Sequence, residues 1–291
     1  MIRKNIVRLL LYIFIVSVIV SGVQVSAATA VPSSYDKWGT SALGPGFPST
    51  VANYYKITKL CETKKENKKF TFTVISNEVK TNLYVTFPSI GGFRIFSDDS
   101  GYYEPDGIQK IRYKTETDGS IRMSAQDGTT VTFEKSGETF SLKVFNSEEK
   151  QLFRITSDQI AFGYSRGKLA KIKFEMPLSE KESIYGTGER FNELEQVGKR
   201  LLMWNVDCGY HGAANAEFWR GYKNIPLLYS NRGYTLFYNS FYSASIDIGY
   251  TDSNKYTMDF GGPEFDIYFW TGTPRDNLQA YTKLTGVTLL L

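Results

Sequence analysis

Three short blocks of aromatic, amide and acidic residues lie close together in the second half of this sequence. They occupy residues 185–192 (YGTGERFN), 204–207 (WNVD) and 222–226 (YKNIP). Aromatic rings can pack against the apolar faces of a pyranose, while carboxylates and amides can hydrogen-bond its hydroxyl groups. The three blocks therefore predict a surface that binds sugar.

The segment that follows the WNVD block is rich in glycine and alanine and carries two prominent aromatic residues, Tyr210 and Trp219. A loop of small residues with two aromatic side chains has little packing role, so a function is expected of it. We predict that Asp207, Tyr210 and Trp219 contact the substrate. The alternatives are a carboxylate that caps the loop, for Asp207, and a buried loop anchor, for Trp219.

Gly186 and Gly188 invite comparison with a dinucleotide-binding motif, but the third glycine of that motif would fall at Phe191, and no strand-turn-helix pattern surrounds them. We interpret the pair as a place where the backbone turns sharply or approaches another segment closely. Glu189 and Arg190 are adjacent, so a strand would direct them to opposite faces. The sequence favours an interpretation in which each of these side chains bonds a different neighbour near the turn. Direct contact with substrate is the alternative.

The third block leads into a hairpin, with a turn at 231–233 and a returning strand over 235–239. Lys223 and Asn224 are polar residues at its start. Contact with a ligand is one interpretation of Asn224, and the sequence favours a structural role. Trp270 is expected to pack in the core.

Strand patterns dominate the rest of the chain. Apolar residues alternate along 70–75 and 83–87, and glycine-containing turns at 117–119, 126–128 and 135–137 separate further short apolar runs. An Asp-Gly pair between alternating strands is a strong hairpin signal. Many short strands at about ten-residue spacing predict an all-β fold, a large antiparallel β-sandwich.

One segment has the pattern of an amphipathic helix, residues 274–284. Thr273 suits the N-cap, Pro274 suits the first turn, Asp276 complements the positive end of the helix dipole, and Gly286 ends the helix. The sandwich is therefore expected to carry one short C-terminal helix.

Residues 1–30 have the pattern of a secretory signal peptide: a basic start, an apolar run over 9–20 and small residues before cleavage at Ala27 or Ala30. This predicts an exported protein with no membrane segment after cleavage. An uncleaved membrane anchor is the alternative, and the apolar run is short for it. Residues 31–54 are rich in Pro, Ser and Gly and are interpreted as a leader segment.

Composition excludes several classes of function. Residues 1–30 hold three of the 34 basic residues and none of the 30 acidic ones, so the remainder carries a net charge of +1, which gives no reason to expect nucleic-acid binding. Cys61, Cys208 and His211 are too few and too scattered for a usual zinc site, and no metal or other cofactor is expected. A disulfide between the two cysteines is less favoured than free thiols.

In this order, the three blocks resemble the N-terminal domain of glycoside hydrolase family 31, the α-glucosidase and α-xylosidase family. The resemblance covers roughly residues 70–286 and implies a galactose-mutarotase-like sandwich, here placed at 55–291. It implies that the loop after the sandwich strand reaches into a (β/α) barrel, where the residue matching Asp207 bonds sugar hydroxyls. Many members have Arg where Val206 stands. A mutarotase would need two histidines, and His211 is the only one.

Retaining glycosidases need two carboxylates about 5 Å apart. The candidates Glu189, Glu193, Glu195 and Asp207 show no pattern that brings two together, and the resemblance places both catalytic aspartates in the barrel, beyond Leu291. We therefore assign no catalytic residue and expect this chain to be inactive alone, as a domain that binds α-linked oligosaccharide beside its missing barrel. The alternatives are a free-standing carbohydrate-binding module and a truncated remnant. Whether the whole enzyme hydrolyses or transfers glycosyl units stays open.

Overall fold

The computed structural model describes residues 54–97, 107–165, 168–190, 193–205 and 223–286. All of them fall in one compact unit, Leu43–Leu291. In these ranges no helix has both the length and the apolar character needed to cross a membrane. The proposed signal peptide and most of the leader segment lie outside the described residues.

The described part of the chain consists mainly of β-strands. In chain order they are β1 (Tyr54–Lys56), β2 (Lys59–Lys65), β3 (Phe70–Ser76), β4 (Val79–Thr86), β5 (Phe93–Ser97), β6 (Arg112–Thr115), β7 (Ile121–Ser124), β8 (Thr130–Ser136), β9 (Thr139–Phe145), β10 (Gln151–Thr156), β11 (Ile160–Ser165), β12 (Lys168–Pro177), β13 (Ile184–Glu189), β14 (Lys199–Met203), β15 (Lys223–Ser230), β16 (Tyr234–Tyr238), β17 (Ala244–Ile248), β18 (Lys255–Phe260) and β19 (Asp266–Thr271). A 3-10 turn, Ser157–Gln159, precedes β11, and helix α1, Pro274–Thr285, follows β19.

The strands form three antiparallel sheets around one core. The sheets have the orders β13-β15-β16-β19-β5-β4-β3-β2, β1-β11-β12-β18-β17-β14 and β10-β9-β8-β7-β6. Phe72 of the eight-stranded sheet meets Phe140 of the five-stranded sheet with ring centroids 4.8 Å apart, and Phe174 of the six-stranded sheet packs edge-on against Phe269. The predicted all-β antiparallel sandwich is confirmed. Its division into three sheets was not predicted from the sequence.

Turn chemistry sets the hairpins of the five-stranded sheet. Asp118 accepts a hydrogen bond from the backbone N–H of Ser120, and Asp127 accepts one from that of Thr129, both at 2.9 Å. Gly119 has φ of 84°, in the left-handed region that glycine adopts without strain. The hairpins predicted from the Asp-Gly pairs are therefore confirmed.

Helix α1 begins and ends where the sequence predicts. The Thr273 side chain accepts a hydrogen bond from the backbone N–H of Asp276, Pro274 occupies the first turn, and Gly286 follows the last turn with φ of 92°. The helix packs against a second apolar cluster on the eight-stranded sheet that includes Trp270, which is buried as predicted.

A buried ion pair joins β5 to β19. The Arg94 guanidinium donates two hydrogen bonds to Asp266, from Nε to Oδ1 at 2.6 Å and from Nη2 to Oδ2 at 2.7 Å. Asn239 donates a third, from Nδ2 to Oδ2 at 2.7 Å. Burial raises the pKa of Asp266, and the hydrogen bonds and charge of Arg94 oppose that effect. A buried guanidinium needs this carboxylate, since an unpaired buried charge is strongly destabilising.

Replacing Asp266 with alanine should therefore lower the free energy of unfolding by about 3–5 kcal/mol, because it removes the carboxylate that accepts two hydrogen bonds from the buried guanidinium of Arg94. The matched control is Glu138→Ala, which removes an ion pair with Lys59 whose side chains are 52% and 66% exposed. That control should cost less than about 1 kcal/mol. Urea denaturation measures both. Equal losses in the two variants would contradict the importance of the buried pair.

Candidate functional site

The Gly186-Thr187-Gly188 segment forms an irregular stretch of edge strand β13. Gly186 pairs with Leu228 and Gly188 pairs with Asn224, so the register with β15 shifts between them. All three residues have positive φ, at 107°, 73° and 92°. Glycine adopts this region readily, whereas a β-branched threonine does so only when its surroundings compensate the strain.

Both glycines are required by close contact with β15. A Cβ atom at Gly186 would lie 2.3 Å from the carbonyl oxygen of Leu227, and one at Gly188 would lie 2.0 Å from that of Lys223. Real Cβ atoms do not approach backbone oxygens so closely. The pair is therefore the place where two backbones meet, one of the two roles that the sequence indicates for it.

Thr187 is held in its strained conformation by burial and by Arg190. Its side chain is fully buried, and its Oγ1 accepts a hydrogen bond from Arg190 Nε at 3.0 Å. Arg190 stands immediately after β13, and its side chain reaches back to the irregular stretch of that strand. The strain is compensated locally.

Arg190 also connects the edges of two sheets. Its Nη2 donates to Asn224 Oδ1 at 2.6 Å on β15 and contacts the carbonyl oxygen of Leu202, at 3.4 Å, and Met203 Sδ, at 3.0 Å, on β14. Strand β14 is an edge of the six-stranded sheet and β13 is an edge of the eight-stranded one. A planar guanidinium with several fixed donors suits such a junction.

Asn205 extends this network. Its Oδ1 accepts hydrogen bonds from the backbone N–H of Asn224 at 2.7 Å and from Asn224 Nδ2 at 2.8 Å. Asn205 directly precedes residues 206–222, and Asn224 follows them. The chain entering this segment and the chain leaving it are thus joined by hydrogen bonds to one another and, through Asn224, to Arg190.

The predicted substrate contacts Asp207, Tyr210 and Trp219 lie outside the described residues, as do Cys208 and His211. The structure places the other predicted site residues together: Gly186, Gly188, Glu189, Arg190 and Asn224 all lie where β13 meets β15. Glu189 forms an exposed ion pair with Lys223, at 3.8 Å, whereas Arg190 bonds Asn224.

A cleft of about 350 Å³ opens beside this network. Trp204, Asn205 and Asn224 form part of its wall, and the turn that joins β16 to β17 supplies more of it through Phe241, Tyr242 and Ser243. Sequence reasoning missed this turn. The available signal was Phe241-Tyr242, two consecutive aromatic residues flanked by serines.

The buried ion pair of β5 and β19 supports the turn that lines the cleft. Asn239 bonds the carboxylate of Asp266 through its side chain and the carbonyl of Asp266 through its N–H, at 2.9 Å. The Tyr242 ring lies directly over Gly262, where a Cβ would come within 2.1 Å of it. Nearby, burial and the charge of Asp266 raise the pKa of Glu264.

Two of the described carboxylates near the site, those of Glu189 and Glu193, are engaged by lysines. Glu193 pairs with Lys199 at 2.7 Å, and the hydrogen bond and charge of Lys199 lower the pKa of Glu193. Glu189 pairs with Lys223. In the ranges that the structure describes, no group of three His, Cys, Asp or Glu residues could hold a metal ion. Cys61 on β2 is a free cysteine.

A matched pair of substitutions tests the close contact between the backbones of β13 and β15. Gly188→Ala and Gly119→Ala both place alanine at a φ near 90°, but only at Gly188 does the new Cβ meet a backbone oxygen. Gly119→Ala should cost about 1–2 kcal/mol of unfolding free energy from its left-handed backbone. Gly188→Ala should cost about 1–3 kcal/mol more because of overpacking. Equal destabilisation in urea would show that β13 can move away from β15.

Comparisons with known proteins agree with this architecture. The model of the glycosyl hydrolase 31 N-terminal galactose mutarotase-like domain matches residues 58–247. Alpha-glucosidase 2 of Bacillus thermoamyloliquefaciens is 23% identical over 75% of this chain and 27% of its own length. Alpha-xylosidase XylQ of Lactiplantibacillus pentosus is 32% identical over 50% of this chain and 18% of its own.

Solved structures share the fold. The cycloalternan-forming enzyme of Listeria monocytogenes, solved with a pentasaccharide substrate, has a TM-score of 0.69 at 17% identity, over 82% of this chain and 23% of that one. A family 31 dextranase of Flavobacterium johnsoniae, solved with isomaltotriose, has a TM-score of 0.62 at 19% identity, over 78% of this chain and 28% of that one. This chain therefore spans less than a third of the length of the first relatives that it matches. The chain belongs to the family of glycosyl hydrolase 31 N-terminal galactose mutarotase-like domains.

Proposed function

We propose that this chain acts as the substrate-side N-terminal domain of an exported α-glycosidase, working beside a (β/α) barrel on α-linked glucosyl or xylosyl units. The observation that carries the proposal is the network of Arg190, Asn224 and Asn205, which joins both flanks of residues 206–222. A domain built to present that segment needs its two ends fixed.

The names of the relatives support the substrate class. They are an alpha-glucosidase and an alpha-xylosidase, and the dextranase and cycloalternan-forming enzyme were solved with oligosaccharides. The family resemblance assigns the catalytic nucleophile and acid/base to the barrel. This domain is therefore proposed to stabilise the barrel and to close one wall of the substrate pocket, without performing the chemistry itself.

Asp207 is the residue through which we propose that the domain touches the sugar. It lies two positions after Asn205, whose side chain bonds Asn224. An ionised carboxylate can accept hydrogen bonds from two sugar hydroxyls with charge-assisted strength. Fixing the flanking backbone in advance lowers the entropy lost when the substrate is bound.

Export rests on the signal-peptide pattern of residues 1–30, and N-terminal sequencing of the secreted protein would test the cleavage site.

In an enzyme that joins this chain to its barrel, Asp207→Ala should lower kcat/KM for an α-glucoside or α-xyloside about 5- to 150-fold. This range corresponds to about 1–3 kcal/mol of lost transition-state binding when a charge-assisted hydrogen bond is removed. Asp118→Ala, in a hairpin of the five-stranded sheet, is the control and should leave kcat/KM unchanged.

Steady-state assays with p-nitrophenyl α-glycosides measure this effect. A folded Asp207→Ala enzyme with unaltered kcat/KM would make Asp207 a structural residue. The same substrates test whether the catalytic residues belong to the barrel, because turnover by this chain alone would contradict that assignment.

A further inference from the structure

We propose that the cleft between Trp204 and the 240–243 turn is itself a binding site for one or two rings of a neutral saccharide, held by this domain without the barrel. Phe241 would provide a stacking surface, and Asn205, Asn224 and Ser243 would provide hydrogen bonds. The inference rests on the proposed function only for the expectation that the linkage is α; the ligand class follows from the cleft.

The lining chemistry selects the ligand class. The described residues that line the cleft are all uncharged, and they combine aromatic rings with side-chain amides and hydroxyls. An anionic or cationic ligand would find no opposite charge among them. A pyranose presents both apolar faces and neutral hydroxyl groups, which matches rings on one side and amides on the other. The volume of about 350 Å³ is at the small end of the range for ligand sites.

Phe241 is the clearest sign that the cleft binds something. Its side chain is fully exposed, at 101% of the reference accessible area, although the neighbouring Tyr242 and Ser243 are packed or buried. An exposed phenyl ring gains nothing from folding, since its apolar surface remains in water. A ring held at the mouth of a polar cleft is available to stack on a sugar face.

The base of this turn is fixed, so the ring is presented by a rigid support. Asn239 is anchored on Asp266 by two hydrogen bonds, and the N–H of Tyr242 donates to Ser240 Oγ at 3.2 Å. The Tyr242 ring packs over Gly262. A ligand site on a supported turn loses less entropy on binding than one on a mobile loop.

The polar side of the cleft retains hydrogen-bonding capacity. Ser243 is 6% exposed, and its Oγ has no hydrogen-bond partner among the described residues. One rotation about χ1 can aim a serine hydroxyl in a new direction. Asn205 uses its Oδ1 for Asn224, and its Nδ2 donates no hydrogen bond to another described residue. A hydroxylated ligand would satisfy both groups.

The test is a titration of the purified full chain with maltose, isomaltose and methyl α-xyloside, followed by calorimetry and by amide chemical shifts in NMR. We expect saturable binding of at least one of them, with a dissociation constant on the order of 1 mM. Phe241→Ala should raise that constant about tenfold or more. Asn205→Ala should raise it as well, through loss of a polar contact.

Leu278→Ala is the matched control, since Leu278 is also an exposed apolar residue but lies on helix α1, outside the cleft. It should leave the dissociation constant unchanged, and thermal melting confirms that each variant is folded. Absence of saturation at about ten times the expected constant would overturn the proposal, as would equal binding by the wild-type chain and Phe241→Ala.

These outcomes are separable from those of the proposed function. Loss of kcat/KM in Asp207→Ala enzyme together with no saccharide binding by this chain would leave the domain role in place and remove the cleft site. Saccharide binding that depends on Phe241, with unaltered kcat/KM in Asp207→Ala enzyme, would leave the cleft site and remove the role of Asp207.

Discussion

The described site depends on one constraint, the contact between the backbones of β13 and β15 that only glycine permits at positions 186 and 188. Thr187, between the two glycines, also lies in the left-handed region, and its strain is compensated because it is buried and bonds Arg190. Arg190, held in this way, reaches β14 and Asn224 together. The local irregularity of one edge strand thereby positions both flanks of the segment in which substrate contact is proposed.

A second support stands on the other side of the cleft. The pair Arg94 and Asp266 is buried inside the eight-stranded sheet and extends through Asn239 to the 240–243 turn. The charges of Arg94 and Asp266 are thus paired with one another behind the cleft, and the described residues that line the cleft are neutral. Buried ion pairs add little net stability but are costly to break. Both supports therefore act as fixed points that make alternative positions of the cleft walls unfavourable.

Local patterns were enough to predict the strands, the Asp-Gly hairpins and helix α1, because each depends on residues near in sequence. Separate partners for Glu189 and Arg190 followed from their adjacency on a strand, although the partners themselves, Lys223 and Asn224, are distant in sequence. The ion pair of Arg94 and Asp266 was not predicted, since 172 positions separate its members. A charged residue inside each of two apolar strands was the available signal. The cleft was missed for the same reason: Trp204 and Phe241 come together only when β14 pairs with β17, which places Met203 opposite Ala244.

The central claim is that Arg190, Asn224 and Asn205 act as one unit. A double-mutant cycle measures this directly, with Arg190→Met and Asn205→Ala made singly and together and unfolding free energies taken from urea denaturation. Because both residues bond Asn224, we expect a coupling energy above about 0.5 kcal/mol. Additivity within about 0.3 kcal/mol would contradict the account, since the two flanks of residues 206–222 would then be held independently.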